Sequence, residues 1–209
     1  MNGDTQLRIG IFGGTFAPVH NGHVEAAKAF MEQMKLDYLY IIPACIPPHK
    51  QVDPSDDPIY RLKMCELAFS DIDGVLISDL EIKRGGKSYT YDTLVELSRP
   101  DARLFFMCGT DMVLTFDTWY RAEDLFKLCY PVYVRRENDP IMTQRIVEKI
   151  NGYYQKYGVM FRRIITEPIT LSSTQIRNKV AVGEDISDFV PKTVERFIKE
   201  NGLYRKEML

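Results

Sequence analysis

The chain has 209 residues, of which 45% are hydrophobic and 27% are charged, and its formal net charge is −2. These proportions are typical of a globular protein and exclude a disordered or fibrous chain. The slightly acidic balance argues against a nucleic-acid partner, because general nucleic-acid binders usually carry an excess of basic residues. Residues 1–209 are long enough to bury a substantial core, and we expect them to form a single domain.

The sequence indicates neither a targeting segment nor a disulfide framework. Its first residues, MNGDTQLR, lack the apolar stretch of a signal peptide, and no run approaches membrane-spanning length. The cysteines at positions 45, 65, 108 and 129 are widely spaced and form no C-x-x-C motif. We therefore expect small buried thiols in a cytoplasmic protein that has no membrane partner.

The first predicted element is an apolar strand at residues 9–12, followed directly by two glycines. Gly13 and Gly14 can adopt backbone angles that a Cβ disfavours, which predicts a sharp turn and a close approach to a ligand. The spacing of Gly10, Gly13 and Gly14 matches neither a Walker A loop nor the G-x-G-x-x-G motif. A standard dinucleotide or P-loop site is therefore not expected.

A helix follows this turn, with Asn21 as the predicted N-cap and Met34 as its end. Its unpaired N–H groups and positive dipole end favour an anion beside His20 and His23. The only other histidine, His49, falls near the end of the second predicted strand. Since no third ligand stands near the histidine pair, no metal site is predicted.

Further strands alternate with helices along the rest of the chain. Strands are predicted at 38–42, 75–82, 103–108, 130–134 and 161–165, and helices at 59–69, 91–97, 118–128 and 140–157. This order predicts an α/β fold with a doubly wound, mainly parallel sheet of the Rossmann-like type, whose ligands bind at the carboxyl ends of the strands. Residues 43–58, rich in Pro and Asp, are predicted to form a mobile loop over the site.

A second anion-binding pattern, T-L-S-S-T-Q-I-R, lies at residues 170–177. Ser172 or Ser173 can cap a helix whose first turn exposes amides and hydroxyls. Arg177 offers a fixed fork of donors that suits phosphate oxygens. Ordinary helix capping explains this pattern when it is taken alone, but its pairing with the first site favours a phosphate ligand.

These two segments carry a resemblance to a known family. Residues 13–23, GGTFAPVHNGH, resemble the G-G-T-F-D-P-x-H-x-G-H signature of the nucleotidylyltransferase superfamily, and residues 171–177 resemble its I-S-S-T-x-I-R motif. More narrowly, PPHK at 47–50, SYTYDTL at 88–94, GTD at 109–111 and Trp119 look like those of the bacterial nicotinate-nucleotide adenylyltransferases.

The resemblance implies a nucleotidylyltransferase fold and transfer of AMP from ATP to nicotinate mononucleotide. Deamido-NAD and pyrophosphate would be the products, Mg²⁺ would be required, and these small molecules would be the partners. By the same resemblance, His20, His23 and Arg177 are the catalytic candidates. The residues implied to bind ATP are Gly13, Gly14, Thr15, Phe16, Gly109, Asp111, Ser172, Ser173 and Thr174.

The resemblance identifies the residues that bind the acceptor less clearly than those that bind ATP. His49 and Lys50 resemble a basic pair that contacts the acceptor, and Trp119 would stack on its pyridine ring. Backbone amides near Thr90 would receive the nicotinate carboxylate, and Arg135 is a further candidate for substrate binding. A lone tryptophan is as often a core residue, so its role depends on the resemblance.

One position departs from the signature, because Ala17 stands where the family has Asp. We expect this change to affect the rigidity of the loop more than the reaction. Alternatives remain open: an enzyme acting on nicotinamide mononucleotide or phosphopantetheine, or a nucleotide-binding regulator that has lost turnover. A homo-oligomer is also open, since the sequence does not determine the oligomeric state.

Overall fold

The computed structural model describes residues 6–48, 56–135 and 139–205. Its centre is a parallel sheet of six strands in the order β3-β2-β1-β4-β5-β6. The strands are β1 (Leu7–Gly14), β2 (Tyr38–Pro43), β3 (Val75–Ile77), β4 (Ala102–Gly109), β5 (Tyr130–Val134) and β6 (Arg162–Ile164). The predicted doubly wound α/β fold is confirmed.

Helices connect the strands and cover both faces of the sheet. They are α1 (Asn21–Met34), α2 (Pro58–Phe69), α3 (Leu80–Arg84), α4 (Thr90–Leu97), α5 (Thr110–Val113), α6 (Ala122–Leu128), α7 (Pro140–Tyr157), α8 (Ser173–Ala181) and α9 (Lys192–Glu200). One hydrophobic cluster joins the sheet to α1, α2, α8 and α9, and a second joins it to α4, α6 and α7. No helix in the described ranges is long and apolar enough to cross a membrane.

Local sequence signals explain several helix boundaries. At α2 and at α7, an Asp side chain at the N-cap accepts a hydrogen bond from the second helical N–H, and Pro occupies the first helical position. Gly158 then ends α7 with a left-handed φ of 70°. The predicted helix at 140–157 is confirmed to the residue.

Three predicted elements are shorter than expected, and the strand predicted at 161–165 differs least, because it spans Arg162–Ile164. The strand predicted at 75–82 ends at Ile77, because the Ser78 hydroxyl accepts the Leu80 N–H and the chain turns into α3. The helix predicted at 118–128 begins only at Ala122, after Arg121 adopts a left-handed φ of 55°. Trp119 therefore lies in an extended turn and not in a helix.

The connections reverse between β1 and β4, since the chain progresses from β1 through β2 to β3 on one side and from β4 to β6 on the other. In open parallel sheets, ligands bind at such a reversal, outside the carboxyl ends of the strands. Gly14 and Gly109 end these two strands. The topology therefore predicts that a ligand binds at the loops that follow these two strands.

Candidate active site

The loop after β1 does not turn at its glycines. Gly13 and Gly14 are the last residues of the strand, and neither has a left-handed φ. Phe16 turns the chain instead, with a φ of 53°. A Cβ at Gly14 would lie 3.0 Å from the Phe16 ring, so glycine permits a close approach there. The prediction of a glycine turn was therefore wrong.

The two histidines of this loop cap α1 together. The His23 N–H donates to His20 Nδ1 at 3.3 Å, and the His20 N–H donates to His23 Nδ1 at 3.2 Å. The N-cap is thus His20 and not Asn21 as predicted. Asn21 is the first helical residue, and its side-chain amide donates to the carbonyl of Asp188. A reciprocal capping box normally uses Ser or Thr with Glu, so the sequence signal was misread.

This capping box determines which ring nitrogens carry protons. Because Nδ1 of His20 and Nδ1 of His23 each accept a backbone N–H, the proton of each neutral ring lies on Nε2. The rings stack with centroids 3.6 Å apart, and His20 is only 1% exposed. The capping box therefore fixes the position of the Nε2–H donor of each imidazole.

Helix α8 holds the same loop from the other end of the chain. Ser172 caps it in a box with Gln175, as predicted, while the Ser173 hydroxyl donates to the carbonyl of Pro18 at 2.9 Å. Arg177 donates to the carbonyl of Ala17 at 2.8 Å and to the Thr174 hydroxyl at 3.3 Å. The two end motifs of the sequence are therefore in direct contact.

These contacts hold the loop although Ala17 stands where the signature that it resembles has Asp. The Ala17 side chain is buried, and the loop is held through its backbone carbonyls. Main-chain carbonyls are available whatever residue occupies position 17. The departure at Ala17 therefore leaves two hydrogen bonds from α8 intact.

The loop after β4 adds a second edge to the site. Gly109 is the N-cap of α5, and Asp111 lies exposed in the first turn of that helix. Trp119 follows in the extended turn, with one face stacked on Phe116 at a centroid distance of 4.7 Å. Phe116 is fully buried, so this contact holds the indole in place.

Two tyrosines face each other beside the start of α4. The rings of Tyr89 and Tyr120 lie 4.7 Å apart, and Thr90 is the first residue of α4. Tyr89 is the N-cap and makes no side-chain capping bond, so the first amides of this eight-residue helix are not capped by a side chain. An anion at this helix start would receive those N–H groups and the favourable end of the dipole.

A buried carboxyl group supports the turn before α4. The Thr93 hydroxyl donates to Glu81 at 2.6 Å, and Arg84 lies 3.9 Å from the same oxygen. Burial raises the pKa of Glu81, while hydrogen bonds from Thr93 and Ser88 and the charge of Arg84 oppose that increase. The Ser88 oxygen also accepts the Cys45 N–H at 2.8 Å. This network joins the end of β2 to the start of α4.

A cavity of about 1280 Å³ lies at the carboxyl ends of β1 and β4, between these loops and the start of α8. Most of the predicted site residues line it: Gly13, Gly14, Thr15, Phe16, His20, His23, Thr90, Gly109, Asp111, Trp119, Ser172, Ser173, Thr174 and Arg177. Arg135 does not, and its carbonyl accepts the Ile169 N–H instead. His49 and Lys50 lie outside the described residues, as does part of the predicted loop 43–58.

Sequence reasoning missed several residues that form this site. Tyr120 and Glu81 line the cavity, but no local pattern marks either of them. Tyr204 also lines it, and its largely buried hydroxyl has no hydrogen-bond partner within the described chain. Arg61 is fully buried beneath the loop after β1. An arginine near the start of a helix is usually exposed to solvent, so only the tertiary structure could reveal its burial.

A cytidylyltransferase-like family model matches residues 11–179. A probable nicotinate-nucleotide adenylyltransferase of Clostridium botulinum is 36% identical over 200 residues, covering 96% of this chain and 99% of the relative. The chain belongs to the nicotinate-nucleotide adenylyltransferase family. The Streptococcus pyogenes member is 35% identical and is covered over 89% of its length, against 95% of this chain.

A solved structure supports the same fold for this adenylyltransferase family member. The nicotinic acid mononucleotide adenylyltransferase of Plasmodium falciparum, complexed with NaAD, matches with a TM-score of 0.74. The match covers 95% of this chain and 98% of the other, at 18% identity. At that identity the likeness concerns the fold alone.

Proposed function

We propose that this chain, with residues 1–209 acting as one domain, transfers AMP from ATP to nicotinate mononucleotide. The observation that carries the proposal is the cavity in which the two stacked histidines and α8 face the aromatic pocket at Trp119. It has room for two substrates and places a phosphate-type site beside an aromatic site. The relatives of this chain are named for the same reaction.

The chemistry requires one displacement at phosphorus. A phosphate oxygen of nicotinate mononucleotide attacks the α-phosphorus of ATP, the bond from that phosphorus to the bridging oxygen breaks, and pyrophosphate leaves with the electron pair. The attacking phosphate is already an anion, so no base is needed to activate it. The work of the protein is to align two anions and to stabilise charge that develops on the α-phosphate and the leaving group.

On the ATP side, the Nε2–H groups of His20 and His23 are the proposed donors to the phosphates. Their Nδ1 atoms are occupied by the capping box, so the rings cannot rotate without losing those bonds. Donors whose positions are fixed before the substrate arrives require no reorganisation during the reaction. We assign His23 to the transition state, and Arg177 with Thr174 to the β- and γ-phosphates.

On the acceptor side, the face of the Trp119 indole opposite Phe116 is the proposed platform for the pyridine ring. Its other face is occupied by Phe116, so a stacked ligand would complete an aromatic layer. The amides at the start of α4, beginning with Thr90, are the proposed donors to the nicotinate carboxylate. Gly109 and Asp111 are assigned to the adenosine.

Magnesium enters this proposal as part of the ATP substrate. The described residues contain no group of three or more side chains of the kinds that hold a resident metal ion. Mg²⁺ commonly keeps several waters and binds through substrate phosphates with one or two carboxylates. The cavity is lined by carboxylates that meet this modest requirement. When bound, the ion would neutralise phosphate charge.

The direct test is pyrophosphate release by the purified protein with Mg·ATP and a panel of acceptors. The panel contains nicotinate mononucleotide, nicotinamide mononucleotide and phosphopantetheine, and mass spectrometry identifies the adenylylated product. We expect deamido-NAD as the main product. Release only with phosphopantetheine or nicotinamide mononucleotide would assign a sister activity, and ATP binding without release would indicate a regulator.

A further inference from the structure

A fully buried guanidinium connects the two halves of the cavity. Arg61 of α2 is 0% exposed and donates to the carbonyl of Thr15 at 2.9 Å. It also donates to the carbonyl of Ala44 at 2.6 Å and to that of Cys45 at 3.1 Å. Thr15 belongs to the loop with the phosphate donors, whereas Ala44 and Cys45 follow β2 on the acceptor side. One side chain therefore holds both loops.

These three bonds determine the orientation of the peptide groups involved. In a trans peptide the carbonyl and the next N–H point in opposite directions. Turning the carbonyl of Thr15 toward Arg61 therefore turns the N–H of Phe16 away from it, and both residues line the cavity. In the same way, the carbonyl of Ala44 points to Arg61 while the N–H of Cys45 donates to Ser88. Arg61 therefore orients one backbone N–H on each side of the cavity, that of Phe16 and that of Cys45.

Further backbone bonds extend this connection. The Ala44 N–H donates to the carbonyl of Gly14 at 2.9 Å, so the two loops are also joined directly. The Ser88 N–H donates to the carbonyl of Ile46 at 2.9 Å, which carries the connection to the turn before α4. A displacement of Arg61 would consequently move both the loop after β1 and the amides at the start of α4 that we propose to bind the carboxylate.

The charge of Arg61 is unusual for a residue that only fills space. Burying a guanidinium is costly unless its donors are satisfied, and an apolar side chain would fill the same volume at lower cost. Here the two terminal nitrogens make three hydrogen bonds to carbonyls of the two loops, and Nε, which makes no hydrogen bond within the described residues, lies 3.5 Å from a carboxylate oxygen of Asp56. The hydrogen bonds to the two loops therefore explain why this residue is an arginine.

We propose that Arg61 is a positioning residue. It holds the loop after β1, which contains Thr15, and the segment after β2, which contains Ala44 and Cys45, at the separation that the transfer requires. This inference rests on the proposed function. Because Arg61 touches both loops, its loss should impair the use of both substrates in parallel. A lysine offers a single ammonium in place of the fork and cannot reproduce the three bonds.

The test compares Arg61→Lys and Arg61→Gln with Val194→Ala, which truncates a fully buried residue of α9 outside the cavity. Steady-state pyrophosphate release is measured with each substrate varied in turn, about 15 °C below the melting temperature of each variant. We expect kcat/KM for ATP and for nicotinate mononucleotide to fall by about tenfold to a hundredfold in both Arg61 variants. Val194→Ala should lower the melting temperature while keeping both values within about twofold.

Arg61 variants that melt earlier but keep both kcat/KM values would overturn the inference, since they would show a structural role only. A loss confined to one substrate would also overturn it, because it would remove the link between the loops. Variants that do not fold at any temperature would assign Arg61 to folding and reject a positioning role. Failure of the proposed function is distinct, because the natural protein itself would then release no pyrophosphate with nicotinate mononucleotide.

Discussion

The proposed ATP side and the proposed acceptor side of the cavity are built by different interactions. On the ATP side, hydrogen bonds hold the main groups: His20 and His23 cap each other, and Arg177 donates to the carbonyl of Ala17. On the acceptor side, aromatic rings set the shape, with Trp119 stacked on Phe116. Hydrogen bonds constrain the orientation of a polar group closely, whereas ring packing defines the shape of a pocket wall. The first side suits charge stabilisation and the second suits recognition of a flat ring.

The largest expected effect is on the polar side, at His23. His23→Ala removes the Nε2–H that we propose as a donor to the phosphates, and we expect turnover to fall about a hundredfold or more. Steady-state pyrophosphate release measures this loss. The protein should remain folded, although the loss of one side of the capping box should cost about 1 kcal/mol of stability.

His23→Asn provides a matched control for that effect. Its side-chain oxygen takes the place of Nδ1 and can still accept the His20 N–H, but it lacks the Nε2 donor. We expect turnover as low as in His23→Ala with a melting temperature close to that of the natural protein. If His23→Asn retained turnover, the capping bond would be what matters and His23 would have no part in the chemistry.

The aromatic side is probed by Trp119→Ala. Stacking of a heteroaromatic ring on an aromatic side chain is worth about 1–3 kcal/mol, so kcat/KM for the acceptor should fall by roughly tenfold or more. The KM for ATP should stay within about twofold, because the indole is on the other side of the cavity. A change in the KM for ATP as large as that for the acceptor would contradict the division of the site.

Arg177→Lys tests the same division from the polar side. Lysine keeps the charge but loses the bidentate fork, so we expect the KM for ATP to rise by about tenfold. The KM for nicotinate mononucleotide should change less. Each substrate is varied separately at saturation of the other. A loss confined to the acceptor would reverse our assignment of the two sides.

The smallest expected effect is at Ala17. Because the loop is held through the carbonyls of Ala17 and Pro18, restoring the family's Asp should change turnover by less than about tenfold. The natural protein should already be active. An inert natural protein that binds ATP, together with turnover gained in Ala17→Asp, would favour the regulator instead.

The difference between the two sides also explains what the sequence could reveal. The phosphate motifs were recognisable because their residues lie close together in the sequence, such as Ser172 before a helix and Arg177 within it, and because both segments resemble a family signature. The alternation of strands and helices likewise predicted the sheet. The contact between residues 13–23 and α8, however, joins positions about 155 apart and needed the structure.

The remaining features depended on tertiary packing. Asn21 has the stronger capping propensity, yet His20 is the N-cap because His23 can complete a reciprocal pair with it. Phe16 adopts the left-handed turn that Gly13 and Gly14 were expected to supply, because its ring is packed in the core. Arg61 has no local signature, since its partners are main-chain carbonyls of distant loops. Every residue has a main-chain carbonyl, so a sequence does not show which carbonyls accept such bonds.

The central claim is that amides at the start of α4 read the carboxylate of the acceptor while Trp119 only supports its ring. The most direct measurement is kcat/KM for nicotinate mononucleotide and for nicotinamide mononucleotide, in the natural protein and in Trp119→Ala. A carboxylate accepts from every N–H aimed at it, whereas an amide leaves polar groups poorly paired, so we expect a ratio of at least about a hundredfold. That ratio should persist in Trp119→Ala. Equal efficiencies for the two acceptors in the natural protein would contradict the account and indicate a dual-specificity enzyme.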